Sequence, residues 1–395
     1  MNNFNFHRPT DIYFGRGAEN NAGEICKKHG GNKVLIHFGG KSAIKSGLID
    51  RVEKSLTAAG LSYVKLGGVQ PNPRAELVYE GIELCKKEGV DMILAVGGGS
   101  VIDSSKAIAM GVPYDGDFWD FFMGGKTPEV SLPLGSVLTI AAAGSECSNS
   151  CVIDKEVNGI IKKKGSNCQA NVAKFAIMNP ELTMTLPPYQ TACGCCDIMC
   201  HVMERYFTNT KDVEVTDQLC EGILRAMVAM IPRVMKDPND YEARANIMWA
   251  SSLAHNNLCG VDREQDWASH RIEHELSALY DCAHGAGLSV IMPAWMEHVM
   301  NHDVMRFAQF ANRVFGCAMD FAHPEVTAKN GIAALRALWK SAGLPLSFAD
   351  LGAKKEDIPT LLNNLGIDDH TEGHFMILKR PDVEAIFNIA ANYKD

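Results

Sequence analysis

No stretch of this 395-residue chain approaches the about 20 consecutive apolar residues that a membrane-spanning helix needs, so no such span is expected. Strong positive charge is missing as well. The formal net charge is −9, and the only cluster of cations is Lys162, Lys163 and Lys164, too short to track a phosphate backbone, so nucleic acid is not an expected partner. Also absent are the G-x-G-x-x-G dinucleotide fingerprint and a C-x-x-C pair matched by a second one. The opening segment, MNNFNFHRPTDIYFGRG, lacks an apolar signal core, and the expected compartment is the cytoplasm.

What is present is an ordinary globular composition, 46% hydrophobic and 22% charged, with room for a substantial core. The length implies two or three domains, with a small-molecule site expected in a cleft between two of them. Cysteine is plentiful. The thirteen residues are odd in number and partly adjacent, in a chain far larger than a disulfide-stapled scaffold, so reduced thiols are expected.

Up to about residue 180, short apolar runs alternate with segments of helical period, the pattern of parallel strands joined by helices. The runs are KVLIHFGG from Lys33, LSYVKLGG from Leu61, DMILAVGGGS from Asp91, SVLTIAAAGSE from Ser136 and FAIMNP from Phe175. Asn158-Gly159, between two apolar stretches, is a hairpin-turn signal. After Pro187-Pro188 the texture becomes Met-, Leu- and Ala-rich with helical spacing. The expected architecture is an α/β domain over 1–181, mostly parallel with one hairpin, followed by an all-helical domain over 182–395.

Two glycine loops end strands and open helices. Gly97, Gly98 and Gly99 precede Ser100-Val101-Ile102-Asp103, the spacing of a capping box, and glycines before a helix N-terminus let a pyrophosphate approach backbone N–H donors. The alternative is a plain strand-to-helix turn. The second loop, Gly39-Gly40-Lys41-Ser42, carries no acid to receive a ribose 2′-hydroxyl, and Lys41 with Ser42 favours NADP(H) over NAD(H) if the adenosine ribose binds there. Lys41 as a solvated loop lysine is the competing reading.

Asp197 and His201 form an i, i+4 pair in CGCCDIMCHVMERYF, so on a helix both project from one face. His270 and His274 repeat that spacing, and His284 follows at a glycine-rich break. One carboxylate with several imidazoles suits Zn(II), Fe(II), Mn(II) or Co(II). Any one of these histidines alone reads as an ordinary core or surface residue; five candidate ligands in two segments read as a site. Cys193, Cys195, Cys196 and Cys200 on the same segment offer a competing thiolate site, or simply small buried hydrophobes.

These residues bring out a likeness to a family. FNFHRPTDIYFGRG, VGGGSVIDSSKAIA, AAAGSE, IMNPELTMTLPP, DIMCHVMERYF, DWASHRIEHELSA and AHGAG span nearly the whole chain, which resembles the iron-containing (group III) alcohol dehydrogenases, particularly their NADPH-dependent butanol dehydrogenase and aldehyde reductase branch. The resemblance implies one divalent metal, Fe(II) or Zn(II), on Asp197, His201, His270 and His284, with His274 as a proton relay lining the pocket. It implies cofactor contacts from Gly39, Gly40, Ser42, Asn72, Gly98, Gly99, Ser100, Thr139 and Lys163, and a homodimer. Relatives often carry threonine at Ala143 and asparagine at Ser148, two departures near the nicotinamide pocket.

The expected function is interconversion of primary alcohols and aldehydes with NADP(H), in the direction of aldehyde reduction. The alternatives are a dehydroquinate synthase-like or glycerol dehydrogenase-like enzyme of the same architecture, or a metal-binding protein without redox activity.

Overall fold

The computed structural model describes residues 2–394. The described chain divides into two compact units, His7–Thr185, and Leu186–Asp395 together with the initial Met1–Phe6 segment. That short segment joins the helical unit, where the Asn2 N–H donates to the Asp262 carbonyl at 3.0 Å.

In the first unit the expected strands form where aliphatic residues run together. Strands β2 (Lys33–Phe38), β4 (Met92–Gly97), β5 (Leu134–Leu138) and β8 (Phe175–Met178) are buried along nearly their whole length. Such unbroken apolar runs belong to a parallel sheet covered on both faces. With β1 (Asp11–Phe14) and β3 (Ser62–Leu66) they make one six-stranded sheet of order β1-β8-β5-β4-β2-β3, in which every pairing is parallel. Val34, Ile36, Leu94, Val96, Val137 and Ile177 meet helical residues such as Ile49, Val52 and Leu56 in its core.

The edge strand β1 escapes the sequence pattern. DIYF is four residues long with a half-exposed face, too short to show alternation, and only pairing with β8 makes it a strand. Because of it the glycine triplet follows the fourth strand in chain order. The hairpin forms as expected, from β6 (Ser150–Val157) and β7 (Ile160–Asn167), antiparallel. Asn158 and Gly159 take φ of 54° and 77°, the left-handed pair that matches the twist of the flanking strands.

The sheet order sets the functional end. From β2 the chain moves outward to β3, then returns to β4 on the other side of β2 and continues to β5. The loops leaving β2 and β4 therefore flank a topological switch point, where open α/β sheets bind their ligands. Phe38 pairs with Val96, so the Gly39 and Gly97 loops emerge side by side.

The second unit contains no named strand among the described residues, only an isolated bridge between Glu372 and Leu378. At its centre runs the helix Pro188–Tyr206, begun by a proline whose missing N–H costs nothing at that position. It is buried continuously from Thr191 to Tyr206, which explains why cysteine, alanine and methionine occur on all sides of it. The helices Glu214–Lys236, Tyr241–His255 and His284–Val299 pack around it. Gly285 permits one of these approaches, since a Cβ there would stand 2.0 Å from the Cys193 carbonyl oxygen. No helix among the described residues is long and apolar enough to cross a membrane.

Candidate active site

At the switch point, the loop after β4 runs directly into the helix Gly99–Gly111. The glycines of this loop and of the loop after β2 have different tasks. A Cβ on Gly97 would meet Val101 at 2.4 Å and one on Gly98 would meet Ile140 at 2.0 Å, so these two are needed for helix–strand packing. Gly40 faces open space within 4 Å of where a Cβ would sit, leaving backbone accessible at the neighbouring loop.

The capping box expected at Ser100 does not form. The helix begins two residues earlier than a cap at Ser100 would place it, its N-cap is Gly98, and no side chain caps it. Asp103 is turned elsewhere: one oxygen accepts from Ser145 Oγ at 2.5 Å and the other from the Val152 N–H at 2.9 Å. Similarly Ser42 is the first residue of the short helix Ser42–Lys45, with Lys41 at the N-cap position and no side-chain cap. In both places the first N–H groups of the helix are left uncapped by side chains, the condition under which they can serve an anion.

The other expected contacts gather at this carboxyl end. The Thr139 N–H donates to the Gly97 carbonyl at 3.0 Å, holding the β5 exit against the triplet. Asn72, left-handed at φ 56°, lies in the loop after β3, and its Oδ1 accepts from Lys163 Nζ at 3.0 Å, so the hairpin lysine reaches that loop. Lys41 and Ser42 are exposed.

A residue the sequence reading passed over secures these loops. Lys106 is wholly buried, and its ammonium donates to Ser145 Oγ at 2.9 Å, the Ser148 carbonyl at 3.0 Å and the Ser150 carbonyl at 2.7 Å. Burial holds its pKa below the ordinary lysine value even though Asp103 opposes the shift. Its signal was available: Asp103 and Lys106 are i, i+3 and the only charged residues of the helix.

In the helical unit, Asp197 and His201 lie one turn apart on Pro188–Tyr206, His270 on Ala268–Tyr280, and His284 is the first residue of His284–Val299. Three imidazoles converge on one carboxylate oxygen. Asp197 Oδ1 is 3.2 Å from His201 Nδ1, 3.5 Å from His270 Nε2 and 3.8 Å from His284 Nε2. Asp197, His201 and His270 are nearly inaccessible, and His284 is the more open member.

These contacts are not hydrogen bonds. Asp197 Oδ1, His201 Nδ1 and His270 Nε2 are buried with no hydrogen-bond partner, a costly condition that a shared cation relieves. The atoms are nitrogens and a carboxylate oxygen, a donor set suited to Fe(II) or Zn(II). Burial alone would raise the Asp197 pKa, but the surrounding imidazoles hold it well below the usual carboxylate range. Burial pushes the His201 pKa down, keeping a lone pair free.

His274 stands a turn beyond His270, its ring 5.5 Å from that of His284. It belongs with Glu273 and His284 to a second group whose ligand-type atoms lie within 4.8 Å of one another. Trp267 precedes the helix at φ 84°, an unusual conformation for a bulky residue, with its ring 5.4 Å from His270 and the Arg205 guanidinium 4.4 Å over it. His255 stacks on His201 at 4.2 Å.

The cysteines of the central helix behave as packing residues. Cys193, Cys195, Cys196 and Cys200 are buried free thiols, and burial pushes Cys193 and Cys195 up to about 12, the behaviour of small apolar side chains in a helical core. Glu204 and Glu273, like Lys106, are residues that sequence reasoning missed. Both are acids spaced i, i+3 from a histidine, Glu204 from His201 and Glu273 from His270.

Comparison with known proteins places the chain in a family. Residues 9–180 match the model of the iron-containing alcohol dehydrogenases, and residues 191–391 match the C-terminal model of the Fe-containing alcohol dehydrogenase family. The chain is 39% identical to a probable NADH-dependent butanol dehydrogenase of Bacillus subtilis, over 98% of this chain and 99% of that one. It is 35% identical to an NADPH-dependent aldehyde reductase of Escherichia coli, over 96% and 97%. The crystal structure of an NADH-dependent butanol dehydrogenase from Thermotoga maritima superposes with a TM-score of 0.95 at 41% identity, covering 99% of each chain.

Fold, glycine loops and relatives together define an NAD(P)-dependent oxidoreductase of the alcohol dehydrogenase and aldehyde reductase class. The chain belongs to the iron-containing alcohol dehydrogenase family.

Proposed function

We propose that this protein interconverts primary alcohols and aldehydes with NADP(H), working mainly as an aldehyde reductase, with one divalent cation, Fe(II) or Zn(II), held by Asp197, His201, His270 and His284. The observation that carries the proposal is the convergence of three imidazoles on Asp197 Oδ1 with buried donor atoms left unpaired.

When bound, the cation supplies Lewis acidity and the dinucleotide supplies or accepts a hydride. The chain supplies the rest. Uncapped N–H groups at Gly99 and Ser100 receive the pyrophosphate, with Gly97 and Gly98 allowing the close turn and Asp103 anchoring the helix to the Ser145 loop. Gly39, Gly40, Lys41 and Ser42 take the adenosine ribose, Thr139 lies beside the triplet, and Asn72 with Lys163 closes the cofactor loop. His274 relays a proton between the substrate oxygen and solvent.

The preference for NADP(H) rests on loop chemistry. The 39–42 loop has no acid, and Lys41 is an exposed cation suited to a 2′-phosphate. Of the relatives above, the two butanol dehydrogenases, which share more identity with this chain, are named for NADH and the aldehyde reductase for NADPH, so the NADP(H) reading stands on that loop alone. A homodimer is the assembly proposed on family likeness, which light scattering in solution tests, and the cytoplasm is the compartment proposed from the cysteine usage and the opening segment.

The deciding experiment measures NADPH and NADH oxidation with short, branched and aromatic aldehydes, before and after chelation and with Fe(II) or Zn(II) restored. Activity that disappears on chelation and returns with one metal supports the proposal. A metal-loaded protein that oxidises neither cofactor overturns it, and a higher kcat/KM for NADH overturns the cofactor preference alone.

A further inference from the structure

Two of the imidazoles facing Asp197 have their far nitrogens against buried glutamates. His270 Nδ1 lies against Glu204 Oε2 as an ion-pair contact, and neither atom has a hydrogen bond elsewhere. His284 Nδ1 is bonded to Glu273 Oε2. Both glutamates are completely inaccessible. We propose that Glu204 and Glu273 are positioning residues for the metal centre, each holding one imidazole by Nδ1 so that its Nε2 lone pair points to the cation. The inference rests on the metal-centre reading above.

The surroundings are built around these carboxylates. Glu204 lies two turns beyond Asp197 and one beyond His201, on the same face of the Pro188–Tyr206 helix. Its Oε1 accepts from Ser269 Oγ at 2.5 Å and from the His270 backbone N–H at 3.0 Å, so one acid fixes both the start of the neighbouring helix and the ring it carries. Glu273 Oε1 accepts from Ser277 Oγ. Space for Glu273 exists because residue 287 is glycine; a Cβ there would stand 2.3 Å from Glu273 Oε1.

Burying two carboxylates in a helical core is expensive unless each is paired. A carboxylate on the far nitrogen of a metal-facing imidazole fixes its tautomer and orientation and makes the near nitrogen a stronger donor. The same atoms admit a rival arrangement, since Glu273, His274 and His284 lie close enough to hold a cation of their own. The proposal gives Glu273 to His284 and one cation to the chain.

Equilibrium dialysis of the full chain against buffered Zn(II), and the visible spectrum of the Co(II)-loaded protein, test this with Glu204→Gln and Glu273→Gln. Wild type is expected to bind one metal, each variant to bind it about 10–100-fold more weakly, and the Co(II) bands to shift. Ser277→Ala, which loosens Glu273 while keeping its charge, should move the bands in the same direction by less and covers the case of a glutamine variant that does not fold. Unchanged affinity and spectrum in the folded variants, or two metals per wild-type chain, overturn the inference while leaving the metal centre standing. Wild type that binds no metal overturns both.

Discussion

His201 Nδ1 lies 3.2 Å from Asp197 Oδ1, one helical turn away on a single helix, and yet both atoms are buried without a hydrogen bond. A carboxylate and an imidazole that close would normally pair. Their failure to do so leaves two lone pairs facing a common point, with those of His270 and His284 beside them.

Removing a donor from that point should remove the metal. Asp197→Asn keeps the volume and loses the charge, and is expected to weaken Zn(II) binding by more than the about 10–100-fold typical of an outer hydrogen-bond partner. Metal analysis after dialysis reads this directly. Wild type should also melt several degrees lower after chelation, because a ligand bound only by the folded state stabilises it by about 2.7 kcal/mol at a hundred times its Kd. An equal metal content in Asp197→Asn and wild type would exclude Asp197 from the site.

Gly285→Ala tests how the helices bring His284 to the cluster. The added Cβ would meet a backbone carbonyl, which cannot rotate away, so the start of the His284–Val299 helix must shift. A stability loss of about 1–3 kcal/mol is expected from overpacking, together with weaker metal binding. Lost stability with an unchanged Co(II) spectrum would show that the displacement bypasses His284.

Lys106→Met tests the buried ammonium under the cofactor loops. The substitution leaves the Ser148 and Ser150 carbonyls without their donor and Asp103 without its nearby cation. A loss of about 3–5 kcal/mol is expected, as when one member of a buried charge pair is removed, with weaker dinucleotide binding by fluorescence titration. A melting temperature within a degree of wild type would refute this.

His37 should make stability pH-dependent. It is fully buried in β2, with Nδ1 donating to the Leu66 carbonyl at 2.8 Å and Nε2 accepting from Ser104 Oγ at 2.9 Å. Burial pushes its pKa down to about 4, although the bond to Leu66 favours the charged form. The unfolded chain takes up this proton near pH 6.5 and the folded chain only near 4, so the stabilisation is complete above 6.5 and falls as the pH drops through that window. The slope from this one group is about 1.4 kcal/mol per pH unit. Denaturant titrations of wild type and His37→Gln should therefore converge as the pH falls from 6.5 toward 4. Parallel curves would assign the acid sensitivity to other groups.

The parts of the fold visible in sequence were those where one local signal suffices. Buried parallel strands are unbroken aliphatic runs, as in MILAV, and Asn158-Gly159 marks its own turn. β1 was invisible because DIYF becomes a strand only by pairing with β8. The capping box at Ser100 failed because Asp103 finds better partners in Ser145 and Val152, more than 40 residues away in the chain. Glu204 and Glu273 were legible as spacings and illegible as partners, because each ring they hold belongs to a different helix.

By itself, then, the sequence determined the inventory: six apolar runs or turns of an α/β unit, a helical second half, two glycine loops, and one aspartate with four histidines, four of the five joined to a neighbour by helical spacing and His284 at a glycine-rich break. All of these are local, written within a few turns or a single strand. Tertiary structure decided which of them meet. It set the β2 and β4 loops side by side at the switch point, placed His270 and His284 against Asp197, and supplied each of those rings with a buried carboxylate. Contacts between distant segments depend on how whole faces pack, and no short window of residues carries that information.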